Sequence, residues 1–199
     1  MDPESWFATY QDLDRSDGKS VIMPDGFERL CQALGFDMEG IEPMVLLWKL
    51  NGSELGTVEY SEWEAGIRDM GVRTDDALKA AIGKTLLQLS TDPAVFRAFY
   101  RRVFGYLQVG LQRYISSEYV MAVLPVLAPD NWVFQKFVEF LQANDRVKAV
   151  NRDQWQSLLE LSRSLDQDLS NYSKDDAWPT LFDDFVDWMA KDGDEAAAS

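Results

Sequence analysis

The chain has 199 residues, 46% of them hydrophobic, with seven Trp, eleven Phe and seven Tyr, which is enough for one substantial core or two small ones. Its formal charge of −15, from 34 acidic against 19 basic residues, opposes nucleic acid and anionic membranes as partners, because both are bound through cations. There is no His, which removes the usual general base near neutral pH, the usual zinc ligand and every imidazole-based triad.

Apolar residues recur at helical spacing, and no segment of useful length alternates at period two. Asp2-Pro3 opens a first helix carrying Trp6, Phe7, Tyr10 and Leu13, broken by the Asp/Ser/Gly-rich run 12–20. A second helix runs from Asp25 to Leu34 and stops at Gly35. The single Cys, Cys31, shares its apolar face with Phe27, Leu30 and Leu34; it reads as core rather than nucleophile and allows no internal disulfide. A third helix carries Ile41, Met44, Val45, Trp48 and Leu50, a fourth starts at Ser61 and stops at Gly71, and Thr74 caps a fifth with Leu78, Ile82, Leu86 and Leu89 on one face.

The second half opens at Asp92-Pro93, a cap followed by proline at the first helical position, and its apolar residues fall at Phe96, Phe99, Tyr100, Val103, Phe104 and Leu107. Later helices begin near Ser116, Asp130, Asn151 and Trp178-Pro179, with Pro125 expected to end or kink the first of them. The last presents Leu181, Phe182, Phe185, Val186, Trp188 and Met189. Nothing after Lys191 has apolar surface to bury, so 192–199 is expected to be a flexible tail.

Residues 51–62 have the skeleton of an EF-hand loop, with Gly56 sixth, Val58 eighth and Glu62 twelfth, but Asn51, Ser53 and Leu55 stand where acidic ligands belong. The first loop offers Asp12, Asp14 and Ser16, yet ends in Met23. The fold class expected is therefore all-α: two degenerate EF-hand-like helix-loop-helix pairs over 1–90, then a helical half over 91–191 of the same domain, with neither metal nor other cofactor.

Seven Asp against Lys174 alone lie between Ser164 and Ala190, a negative field suited to a Lys/Arg-rich partner. With the segments MVLLWKL, EWEAGIRDMG, VFRAFYRRVF and RDQWQSLLELS, and the closing NYSKDDAWPTLFDDFVDW, the chain resembles the defective-in-cullin-neddylation family and its potentiating-neddylation domain, in a form without a ubiquitin-associated domain. The resemblance implies a non-catalytic scaffold that holds a cullin C-terminal region and a neddylation conjugating enzyme together, with no thioester on itself. It places the cullin contact on Asp153, Ala177 and Asp183. It also implies an apolar pocket for the conjugating enzyme's acetylated N-terminal Met, drawing on Phe27, Pro43, Leu46, Leu55, Val58, Tyr106 and Val123. Acetylation matters there because a free α-amino group is largely charged at pH 7 and costly to bury, whereas an amide needs only hydrogen bonds.

The competing readings are a calcium sensor, an acidic module for basic proteins, and an enzyme built on Cys31 or on Asp183 and Asp184, whose side chains diverge by about 100° on a helix. A monomer inside the cell, in cytoplasm or nucleus, is expected: MDPESWF lacks a basic region and a long apolar run, and no 18-residue apolar stretch occurs.

Overall fold

The computed structural model describes residues 2–12 and 20–197, with side chains through Lys191. Among the described residues the chain forms ten α-helices and four strands of two or three residues, in two compact units that meet in sequence between Tyr106 and Leu107. Leu13, Asp14 and Ser16 lie outside the described residues.

In the first unit, α1 (Pro3–Tyr10) starts as its Asp-Pro opening requires: the Asp2 carboxylate accepts from the Ser5 amide, and Pro3 follows in the first turn. It buries Trp6, Phe7 and Tyr10. Trp6 Nε1 and the Tyr10 hydroxyl both donate to the Asp75 carboxylate at 2.7 Å, which ties α1 to the first turn of α5 (Asp75–Thr91). Strand β1 (Val21–Ile22) leads into α2 (Pro24–Leu34), and β2 (Val58–Glu59) leads into α4 (Tyr60–Met70); the strands pair antiparallel, Val21 opposite Glu59 and Ile22 opposite Val58. Between them α3 (Glu42–Lys49) packs on α5. Both α2 and α4 end on the expected glycines, Gly35 and Gly71, whose φ of 69° is the left-handed C-cap conformation that side chains with a Cβ resist. The last helix of this unit, α6 (Pro93–Leu107), is capped by Asp92, whose carboxylate accepts from the Ala94 and Val95 amides.

The centre of this unit is aromatic. The ring of Trp63 meets Trp6 edge-on at 4.8 Å and Phe7 at 5.9 Å, and Trp48 meets Phe99 at 5.3 Å. Trp63 Nε1 is buried without a hydrogen-bond partner, at a cost of about 1–3 kcal/mol that burial of the whole ring offsets. The close approach of α4 to the end of α3 needs Gly66: a Cβ there would lie 2.5 Å from Leu50 Cα and 2.8 Å from the Lys49 carbonyl oxygen.

In the second unit, β3 (Tyr114–Ser116) enters α7 (Ser117–Leu127) and β4 (Ala149–Asn151) enters α9 (Arg152–Ser164). These strands also pair antiparallel, Ile115 opposite Val150, so both units use one device: a short strand at the mouth of one helix joined to the strand at the mouth of another. Helix α8 (Trp132–Ala143) packs against α7, α9 and α10 (Thr180–Ala197). Phe137 and Phe140 on α8 meet Phe185 at 5.1 and 5.4 Å, and Phe137 meets Phe182 at 6.0 Å. Each fully buried Phe contributes roughly 1.5–3 kcal/mol, so these contacts fix α10 on α8.

Pro125 is expected to end or kink its helix; α7 carries it in the last turn and stops at Leu127. The backbone of helix α10 is helical as far as Ala197.

Candidate functional site

The C-terminal motif gives the acidic region its geometry. Asn151 caps α9 through its side chain, which accepts from the Gln154 amide, while Gln154 accepts from the Asn151 amide, both at 2.9 Å. That closed box leaves Asp153 exposed in the first turn, with no hydrogen bond or ion pair among the described residues. Asp183 lies in the first turn of α10 and is half-buried. Both carboxylates sit where the partial positive charge of a helix N-terminus favours an anion.

The loop 165–179 between these helices is held by the Asn-Tyr pair. The Asn171 side chain donates to the Ser164 carbonyl at the end of α9 and accepts from the Asp166 amide at 2.9 Å, closing the loop on itself. Leu169 takes a φ of 60°, a strained conformation for a side chain with a Cβ, kept by this bracing and by a 3.0 Å bond from its amide to the Asp166 carbonyl. Tyr172 then reaches over to α10, and its hydroxyl donates to Asp183 Oδ1 at 2.8 Å. Burial pushes the Tyr172 hydroxyl up from its ordinary value of 10.0, and Asp183 as acceptor and as a neighbouring charge pushes it further, so Tyr172 stays a proton donor at neutral pH. One oxygen of Asp183 is thereby oriented by the protein itself.

Ala177, in the turn before Trp178-Pro179, is exposed. Lys174 extends from the same loop to Asp187, its ammonium 2.7 Å from each carboxylate oxygen. Asp175, Asp176 and Asp184 are exposed beside them in sequence. Composition marked the acidic stretch and the family resemblance singled out Asp153 and Asp183, but neither pointed to the Tyr172–Asp183 or Lys174–Asp187 pairs. The only sequence signal for them was the unexplained order Asn-Tyr-Ser-Lys ahead of Asp-Asp-Phe.

The apolar positions divide differently. Phe27 on α2, Pro43 and Leu46 on α3, Val58 on β2 and Tyr106 on α6 are buried in the first unit, and Val123 on α7 is buried in the second. Leu55 alone of the seven is open to solvent, at 48% exposure. Near it the loop is closed by Glu62, whose two carboxylate oxygens accept from the Ser53 and Glu59 amides at 2.9 Å each, and by Arg102, which donates to the Gly52 carbonyl. Arg102 also stacks on Tyr106 at 5.1 Å and bonds its hydroxyl at 3.2 Å. Cys31 is buried, and its thiol is pushed up to about 12 by burial and then by Glu28, which leaves it unreactive near neutral pH. No described helix is long and apolar enough to cross a membrane.

The chain is predominantly helical, with two acidic helix starts and a braced acidic loop, and comparison with known proteins gives its family. The cullin-binding family matches residues 77–188, more than half of the chain. The chain is 32% identical over 187 residues to DCN1-like protein 4 of Drosophila melanogaster, covering 93% of this chain and 73% of that protein. It is 32% identical over 186 residues to DCN1-like protein 5 of Rattus norvegicus, covering 93% and 76%. With DCN1-like protein 4 of Homo sapiens it shares 33% identity over 184 residues, 92% of this chain but 61% of that longer protein. The chain belongs to the cullin-binding, DCN1-like family.

Proposed function

We propose that this protein promotes cullin neddylation as a non-catalytic scaffold, holding a cullin C-terminal region on one surface and the neddylation conjugating enzyme on another. Such a scaffold turns a two-body encounter into an effectively intramolecular one and supplies geometry rather than bond chemistry. The observation that carries the reading is the condition of Asp153, Ala177 and Asp183 in a cullin-binding family member: two are exposed and the third is half-open, with one oxygen already oriented by Tyr172. Carboxylates placed this way can take charge-assisted hydrogen bonds from Lys or Arg of a cullin, and an Ala between them lets the partner come close.

The second surface is proposed for the acetylated N-terminus of the conjugating enzyme. Leu55 supports it as an apolar side chain exposed beside a loop that Glu62 and Arg102 hold closed. The buried members of the first unit, Phe27, Pro43, Leu46, Val58 and Tyr106, would form the walls against which the N-terminal Met packs. Its place of action is inside the cell, where its partners are.

The reading is tested in a neddylation assay with purified components. D183K is expected to lower the stimulated rate about tenfold or more, and D153K to act in the same direction, with circular dichroism unchanged. Rates equal to wild type for both would remove the docking patch. For the second surface, L55D is expected to weaken binding of an acetylated N-terminal peptide while leaving cullin binding intact.

A further inference from the structure

We infer that Lys174 is a built-in counter-ion of the acidic face, occupying Asp187 until a basic side chain of the docking partner displaces it. The inference rests on the reading of this face as the cullin-docking surface and adds to it a residue that sets how strongly a partner must bind.

Lys174 is the single cation between Ser164 and Ala190, a span with seven Asp. Its ammonium lies 2.7 Å from both oxygens of Asp187, 13 residues later in the chain, so the contact joins the loop to α10 rather than following from helix geometry. Both side chains are about half-exposed, 55% for Lys174 and 51% for Asp187. An ion pair open to water at both ends is weak, and another cation can replace it. The Lys174 ammonium is held above its ordinary value first by its hydrogen bond to Asp187, which desolvation opposes, and then by the charges of Asp187, Asp183 and Asp184. The lysine thus neutralises one arm of the face that Asp183 also belongs to. Whatever cation docks there competes with a tethered one, at an effective concentration fixed by the short loop.

A Lys in this position therefore lowers affinity for basic partners and favours those carrying enough positive charge to displace it. The Tyr172–Asp183 bond differs, since a phenol donor orients its carboxylate without cancelling its charge. Lys174 and Tyr172 act in opposite directions on the two carboxylates.

The test measures binding of the full chain to a purified cullin C-terminal domain by calorimetry at two salt concentrations. K174Q is expected to tighten binding about two- to fivefold at low salt and to steepen its salt dependence. K174R, which keeps the ion pair, is expected to bind as wild type. K84Q, with the same charge change on exposed α5 of the first unit, is expected to leave affinity unchanged within experimental error. In a D187N background the gain from K174Q is expected to vanish, because the carboxylate it would release is gone. A K174Q affinity equal to or weaker than wild type, the same gain from K84Q, or a gain that persists in D187N would overturn the inference while D183K still abolishes docking. If wild type does not bind, or D183K has no effect, the docking reading falls and the inference with it.

Discussion

The two units are built with the same strand-paired helix mouths but differ in how certain of their carboxylates are used. In the first, acidic side chains turn inward on the protein: Asp12 accepts from the Met23 and Gly26 amides and pairs with Arg29, Glu62 accepts from Ser53 and Glu59, and Asp75 gathers Trp6 and Tyr10. In the second, Asp153 has no partner among the described residues, Asp183 gives one oxygen to Tyr172, and Asp187 is held only by an exposed lysine. Acid content alone therefore does not distinguish a structural region from the proposed docking one. What distinguishes them is whether backbone amides and buried donors already fill the acceptor sites.

The largest effect on this contrast is expected in the frame of the first unit. Gly66→Ala places a Cβ against the backbone at Leu50 and should destabilise the chain by about 2–3 kcal/mol, read as a lowered urea midpoint. Next, removing one inward and one outward carboxylate should separate the two uses. Glu62→Ala strands two amides and is expected to cost about 1–2 kcal/mol. Asp153→Ala should stay within about 0.5 kcal/mol of wild type yet lower the neddylation of a cullin that this protein stimulates. Equal stability losses in the two variants would break the contrast.

A smaller effect of opposite sign is expected at Leu169, where glycine fits the positive φ that leucine resists. Leu169→Gly should raise stability by up to about 1 kcal/mol in the second unit, measured by thermal denaturation. The smallest is a pH effect common to both units. Tyr10 is pushed above its ordinary 10.0 by burial and then by Asp75, and Tyr172 by burial and then by Asp183. Above pH 10 the unfolded chain's tyrosines release protons that the folded protein keeps, so the unfolded state binds fewer protons and stability falls as pH rises. Urea midpoints compared between pH 9 and 11 should fall less in a Tyr10→Phe, Tyr172→Phe double variant than in wild type.

Much of the fold was legible because its signals are local. The Asp-Pro starts, the Thr74 cap, the terminal glycines Gly35 and Gly71 and the apolar faces of α6 and α10 each lie within a turn or two of what they control. Strands of two or three residues left no readable alternation, since so short a segment cannot repeat at period two. The site was legible in its carboxylates and illegible in their partners. Tyr172 is 11 residues from Asp183, Lys174 is 13 from Asp187, and Trp6 is 69 from Asp75, separations at which only folding decides contact.

By itself the sequence determined a helical, acidic, His-free chain whose closing motif belongs to the cullin-binding family, because charge, composition and periodicity are properties of residues taken along the chain. Tertiary structure alone decided which carboxylates are consumed and which stay open. A carboxylate's chemistry depends on which donors lie within about 3 Å of it, and those donors arrive from other helices and loops.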